Sequence, residues 1–332
     1  MLSAAMRDIY ERLSRVGFDR KFVRDCILPE WWDDKLADVP AERAYAEAVI
    51  SRQLGIDMSC LRDKNCELET RLRLPTRFKH RRGIGDKEYR VAGMLGWRLA
   101  KLASECLDLP VPAVNPDAAG TVREEILDSG ARWVGLRELL RYCWSIGIPV
   151  VRLCPLPRGA KRMAGMAVWP ERHPVIIIGS ARRQPAWHLF IVAHELGHIV
   201  SGHVQQGEGS VDDKVELDFS EKAEAKANEF AVELLTGDPY LYIRPPSRPL
   251  SSCELAHAAK SLGLRMAIDP GFVALNYSWT ERSFDVGSSA LNELNPGATA
   301  HPLYKKFYSN LNLDELAEDN QRLFGCLTGA GA

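Results

Sequence analysis

Residues 187–198 read Trp-His-Leu-Phe-Ile-Val-Ala-His-Glu-Leu-Gly-His, and no other stretch restricts the chain as strongly. The run from Trp187 to Ala193 reads as the front half of a helix. On a helix, two histidines four positions apart lie one turn above each other, roughly 6 Å along the axis. The imidazoles of His194 and His198 can therefore both reach one Zn2+ at about 2.0–2.1 Å. Glu195 projects about 100° round the helix from His194, where it can handle the proton of a nearby water without being a ligand. The spacing predicts a metal site.

A catalytic zinc needs a third protein ligand and an open fourth position. The segment from Glu221 to Leu235 is rich in helix formers, with an apolar stripe at Ala223, Ala227, Phe230, Ala231, Leu234 and Leu235. Glu224 and Asn228 stand one turn apart on it. Glu224 is the expected ligand, and Asn228 is placed to accept a hydrogen bond from the free ring N–H of a ligating histidine. Glu221 is the rival ligand. Small Ala225 and Ala227 beside Glu224 point to close approach of another helix. The metzincin pattern asks for Gly and His three and six residues after the second ligand. Ser201 and Val204 stand there, and His203 falls one place early. On a continuing helix His203 would be turned off the ligand face, so it reads as a helix-end histidine before the Gly207/Gly209 loop.

Ile191-Val-Ala-His194-Glu-Leu-Gly-His198, followed by Glu224-x-x-Ala-Asn228-x-Phe230-Ala-x-Glu233-Leu-Leu, resembles the ImmA/IrrE-type metallopeptidases, minigluzincin-like regulators of bacteria and their prophages. The resemblance spans roughly Val122 to Tyr242. It implies a strand over Ile148 to Leu153 and a hairpin of Met166–Trp169 with Val175–Ile178 feeding the zinc helix. Two positions depart from the family pattern. Lys226 stands where a second acidic residue is frequent, and Leu234-Leu235-Thr236-Gly237 replaces the usual Leu-Leu-Met-Pro.

The rest of the composition suits a regulator of this kind. The 332 residues carry a formal net charge of −1, so the whole molecule is not an electrostatic nucleic-acid binder. No run of 18 apolar residues predicts a membrane span, and the first residues lack the apolar core of a signal peptide. The eight cysteines are scattered, with Cys60 and Cys66 the closest pair. Reduced thiols and a cytoplasmic location are expected.

Prolines divide the chain into three. Residues 1–109 read as a helical region and residues 117–242 as the metallopeptidase core. Residues 250–332 read as a mostly helical end beyond Arg244-Pro-Pro-Ser-Arg-Pro249. In the first region, Ala41 to Leu54, Gly55 and a short helix near Cys60 have the outline of a helix-turn-helix, and relatives of the family are often joined to such DNA-binding domains. A small helical core explains Ala44, Ala48 and Leu54 as well. Between Arg71 and Arg90 lies a basic cluster in which Arg77, Lys79, Arg81 and Arg82 are the candidate nucleic-acid contacts. A solvated basic surface is the competing reading.

The expected fold is α+β: a small, at least partly antiparallel sheet packed on the zinc helices, with helical N- and C-terminal regions. Helical patterns dominate Arg7–Arg15, Ala41–Leu54, Val91–Leu107, Val122–Ser145 and Glu221–Leu235. The Val175–Ile178 strand is a candidate to pair with an extended substrate, although its apolar run equally fits a buried strand. Tyr240, Tyr242, His203 and His257 are oxyanion donors by type only, and Trp279 and Phe284 read as core. The expected function is a zinc endopeptidase whose protein substrate is of the repressor or antitoxin kind, with DNA as a further partner and no membrane. Two alternatives stay open: a DNA- or partner-binding regulator with structural zinc, and a zinc hydrolase of a small non-peptide substrate.

Overall fold

A computed structural model describes residues 3–68, 78–80, 86–110, 119–212, 222–245 and 248–330. The helices are α1 (Ala4–Arg15), α2 (Arg20–Phe22), α3 (Pro40–Leu54), α4 (Met58–Arg62), α5 (Asp86–Glu105), α6 (Ala119–Asp128) and α7 (Leu136–Ser145). They continue as α8 (Pro185–Val200), α9 (Lys222–Thr236), α10 (Ser252–Met266), α11 (Pro270–Thr280), α12 (Phe284–Leu294), α13 (His301–Lys305) and α14 (Glu318–Thr328). The strands are β1 (Phe78–His80), β2 (Val150–Arg152), β3 (Gly165–Trp169), β4 (Val175–Ile178) and β5 (Glu208–Asp212).

The five strands form one sheet in the order β1-β5-β3-β4-β2. β3 is antiparallel to both β4 and β5, while β1–β5 and β2–β4 are parallel pairs. The fold is α+β with a mixed sheet, as expected. Helix α8 lies on one face of β3 and β4, and α5 lies against the same strands. A side chain at Gly165 would meet α8, and one at Gly96 on α5 would meet Met166 and Ile177. Neighbouring residues of a strand point to opposite faces, so the two helices sandwich the sheet. Strand β4 is buried at all four positions for this reason. It is also hydrogen-bonded on both sides, which removes it as a partner for substrate.

Local chemistry explains most helix ends. Pro185 opens α8 and Pro270 opens α11 behind the Asp269 cap, while Ser251 and Glu254 form a reciprocal cap on α10. The helical pattern read over Val122–Ser145 is two helices, α6 and α7, parted by Gly130. The helix, glycine turn and helix expected over residues 41–62 are present as α3, Gly55 and α4, the last only five residues long.

The apolar core runs without a break from Met6 on α1 to Leu327 on α14. Trp279 joins it against Phe190, but Phe284 is an exposed residue at the start of α12. The expectation of reduced thiols fails at four cysteines. Cys26 is joined to Cys326 and Cys60 to Cys66, with Cα–Cα distances of 5.5 and 5.3 Å, whereas Cys106, Cys143, Cys154 and Cys253 are free. Among the described residues no helix is long and apolar enough to cross a membrane.

Candidate metal centre

Among the described residues α8 is the most enclosed helix, with every residue from Ala186 to Val200 buried. The sheet covers one side, α9 and α7 cover others, and the aromatic rings of α11 pack on Phe190. His194, Glu195 and His198 are therefore polar side chains inside protein, and each requires a designated partner.

Helix α9 supplies partners for the histidines. It comes close to α8 at Gly197, where a Cβ would stand only 3.0 Å from the Ala227 carbonyl oxygen. Of the small residues flanking Glu224, Ala227 marks the close helix approach. Arg123 on α6 fixes the far end of α9 by donating to the carbonyls of Leu234 and Leu235, and it also donates to Ala267 just past α10. Those are final-turn carbonyls that the helix itself cannot satisfy.

This packing brings three side chains together. His194 Nε2 lies 3.5 Å from Glu224 Oε2, His198 Nε2 lies 3.4 Å from Glu224 Oε1, and the two Nε2 atoms are 3.1 Å apart. Among the described residues, His194, His198 and Glu224 form the group suited to a metal ion, with ligand atoms all within 4.8 Å of one another. The rival Glu221 lies outside the described residues. Burial alone would raise the Glu224 carboxyl, but wherever the histidines carry protons on Nε2 their hydrogen bonds and charge outweigh it and hold the group well below the usual carboxylate range, the place a divalent cation would take over.

The donor set fits zinc. Asn228 Oδ1 faces His194 Nδ1 at 3.0 Å and can accept a proton there, the tautomer that leaves Nε2 free to bind a cation. A bare nitrogen, a second imidazole nitrogen and an ionised carboxylate then converge, and a divalent cation satisfies all three. Glu195 sits one step round the helix, against the sheet. A Cβ at Gly165 would overlap its carboxylate, so the first residue of β3 is in contact with this group.

The structure also brings in a residue that the sequence reading set aside. Helix α8 stops at Val200, Gly202 turns the chain with φ +68°, and His203 comes back to place its Nδ1 3.0 Å from His198 Nδ1. The signal was Gly202, which ends the helix and cancels the rotation assumed for His203. Of the other candidates, Tyr240 is exposed and donates to Glu229 Oε1, and His257 is exposed on α10. Lys79 belongs to β1, while Arg77, Arg81 and Arg82 lie outside the described residues.

Residues 149–249 match the family model Peptidase_M78, described as the IrrE N-terminal-like domain. The stretch that matches this ImmA/IrrE-type family contains His194, Glu195, His198 and Glu224. Searches among curated proteins and among solved structures find no match.

Proposed function

We propose that the protein is a zinc-dependent endopeptidase that cuts a regulatory protein of the repressor or antitoxin kind. The observation that carries this reading is the convergence of His194, His198 and Glu224 with Glu195 immediately beside them. Residues 117–242 would hold the chemistry, leaving the helical regions 1–109 and 250–332 to recognise the partner. A repressor or antitoxin target would place the protein in the cytoplasm, whereas the Cys26–Cys326 and Cys60–Cys66 disulfides are of the kind that persist in oxidising compartments.

Zinc supplies Lewis acidity when bound, which polarises a carbonyl and makes water nucleophilic near neutral pH. The chain's own residues do the rest. Asn228 accepts the Nδ1 proton of His194 and so keeps Nε2 turned toward the cation. Glu195 takes a proton from the attacking water and gives it to the leaving amine nitrogen. Hydrolysis then places hydroxyl on the carbonyl carbon and hydrogen on the amine as the C–N bond breaks. The tight contact with Gly165 fixes where the Glu195 carboxylate lies during both transfers.

A second reading draws on the burial of the same residues. His194 and His198 are each 1% exposed and Glu195 is 0% exposed, a degree of enclosure that suits a metal which only ties α8 to α9. Glu195→Gln separates the two. For the peptidase, the zinc-loaded variant keeps its metal and fold but loses hydrolysis of the cognate protein by about 100-fold or more. Candidate repressors encoded nearby, followed by mass spectrometry, are the appropriate substrates. Full regulatory activity in zinc-loaded Glu195→Gln protein would establish the structural role instead.

A further inference from the structure

The two histidines of the centre are arranged alike. Each turns Nε2 inward to Glu224, and each turns Nδ1 outward to another polar atom. For His194 that atom is Asn228 Oδ1, and for His198 it is His203 Nδ1, both at 3.0 Å. The second contact is set by the backbone. The His203 amide donates to the His198 carbonyl at 3.0 Å, and the turn at Gly202 lays the two rings 5.2 Å apart, inclined by 62°.

Two imidazole nitrogens at this distance are held by one proton between them. A proton carried by His203 Nδ1 would make His198 Nδ1 the acceptor and move the His198 proton to Nε2. It would then project among His194 and Glu224, where it excludes a cation. A proton carried by His198 Nδ1 leaves its Nε2 bare, with His203 as the acceptor.

We propose that His203 is a positioning residue of the metal centre. It accepts the Nδ1–H of His198, and so fixes both the tautomer and the orientation of that ring. The inference rests on the reading that His194, His198 and Glu224 hold a divalent cation, and it is independent of whether the protein hydrolyses anything. Outer partners of this kind are worth about 10–100-fold in metal affinity.

The test measures zinc affinity of the full chain by chelator competition, in wild type, His203→Asn and His203→Phe. Asparagine can place an oxygen where His203 has Nδ1, whereas phenylalanine keeps the ring and removes the acceptor. The expected result is weakening by about 10–100-fold in His203→Phe, with affinity close to wild type in His203→Asn. The visible spectrum of the Co2+-loaded protein should shift in His203→Phe only, because the His198 ring is released. Circular dichroism of the metal-free proteins shows whether each variant folds. If His203→Phe does not, 15N spectra of zinc-loaded wild type decide, since the inference requires a hydrogen-bond coupling between His198 Nδ1–H and His203 Nδ1.

Equal affinity in all three proteins, equal weakening in both variants, or no hydrogen-bond coupling between His198 Nδ1–H and His203 Nδ1 would each overturn the role of His203. Failure of wild type to bind zinc at all would overturn the metal centre itself.

Discussion

Helices α8 and α9 hold the candidate centre from opposite conditions. Every residue of α8 past its first is buried, while α9 leaves Lys222 and Lys226 exposed and Glu224, Glu229 and Glu233 half-buried. Charge inside protein is costly and needs a reason, whereas charge on a half-covered helix face needs none. A polar residue on α8 is informative for that cause, and a glutamate on α9 is not. The contrast separates what a helix must carry in order to fold from what it carries in order to act.

The largest expected effect breaks that contrast if the assignment is wrong. His194→Ala and Glu224→Ala each remove one of the three proposed ligands and should lower zinc occupancy far more than Asn228→Ala, which should cost about 10–100-fold in affinity. Glu221→Ala should leave occupancy close to wild type. Metal content after dialysis against a weak chelator gives the ranking. If Glu221 and Glu224 exchanged places in it, the half-exposed helix would have misled both the sequence reading and the geometry.

How much could be read in advance follows the same division. The α8 half of the centre was legible because His194, Glu195 and His198 are contiguous and their spacing matches one helical turn. Glu224 was legible only as one of two glutamates, since small neighbours hint at close packing without fixing which face meets α8. His203 is a helix-end histidine and not a ligand, as expected, but its contact with His198 depends on the turn at Gly202, which a continuing helix would not make. The sequence of strand β4 suits two roles. Four apolar residues describe a strand covered on both faces, but not the neighbours β2 and β3 that take up its hydrogen bonds. The joining of Cys26 to Cys326 across almost the whole chain has no local signature.

A third histidine on α8 shows that burial alone does not make a ligand. His188 is fully buried, yet its Nδ1 meets Tyr304 Oη and its Nε2 meets the Arg182 carbonyl, both at 2.7 Å. Burial disfavours the charged ring and, against the hydrogen bond to Arg182, brings its pKa down to about 4. An unfolded chain protonates the same ring near pH 6.5. Between those values the unfolded state binds a proton that the folded state refuses, so stability falls as pH drops from about 6.5 to about 4. The loss from this group should reach about 3 kcal/mol. Urea unfolding of wild type and His188→Gln at pH 7 and pH 4.5 measures it, with the smaller drop expected in the variant. Identical pH slopes would mean that His188 contributes nothing to acid sensitivity.

The smallest expected effect tests whether the α8 side of the centre depends on its contact with the sheet. A Cβ added at Gly165 would overlap the Glu195 carboxylate and come within 2.8 Å of Ile191 Cγ2. Gly165 is held on both sides by Ile178 and Asp212, so the strand cannot easily move away. Gly165→Ala should therefore cost about 1–3 kcal/mol through overpacking. The same change should push the Glu195 carboxylate out of place while leaving His194, His198 and Glu224 where they are. A double-mutant cycle with Glu195→Ala isolates the contact: most of the Gly165→Ala penalty should vanish once the carboxylate is gone, with a remainder from Ile191. An unchanged penalty in the Glu195→Ala background would assign the cost to the strand or to Ile191. The position of Glu195 would then be set by α8 alone, and the sheet would have no part in aiming it.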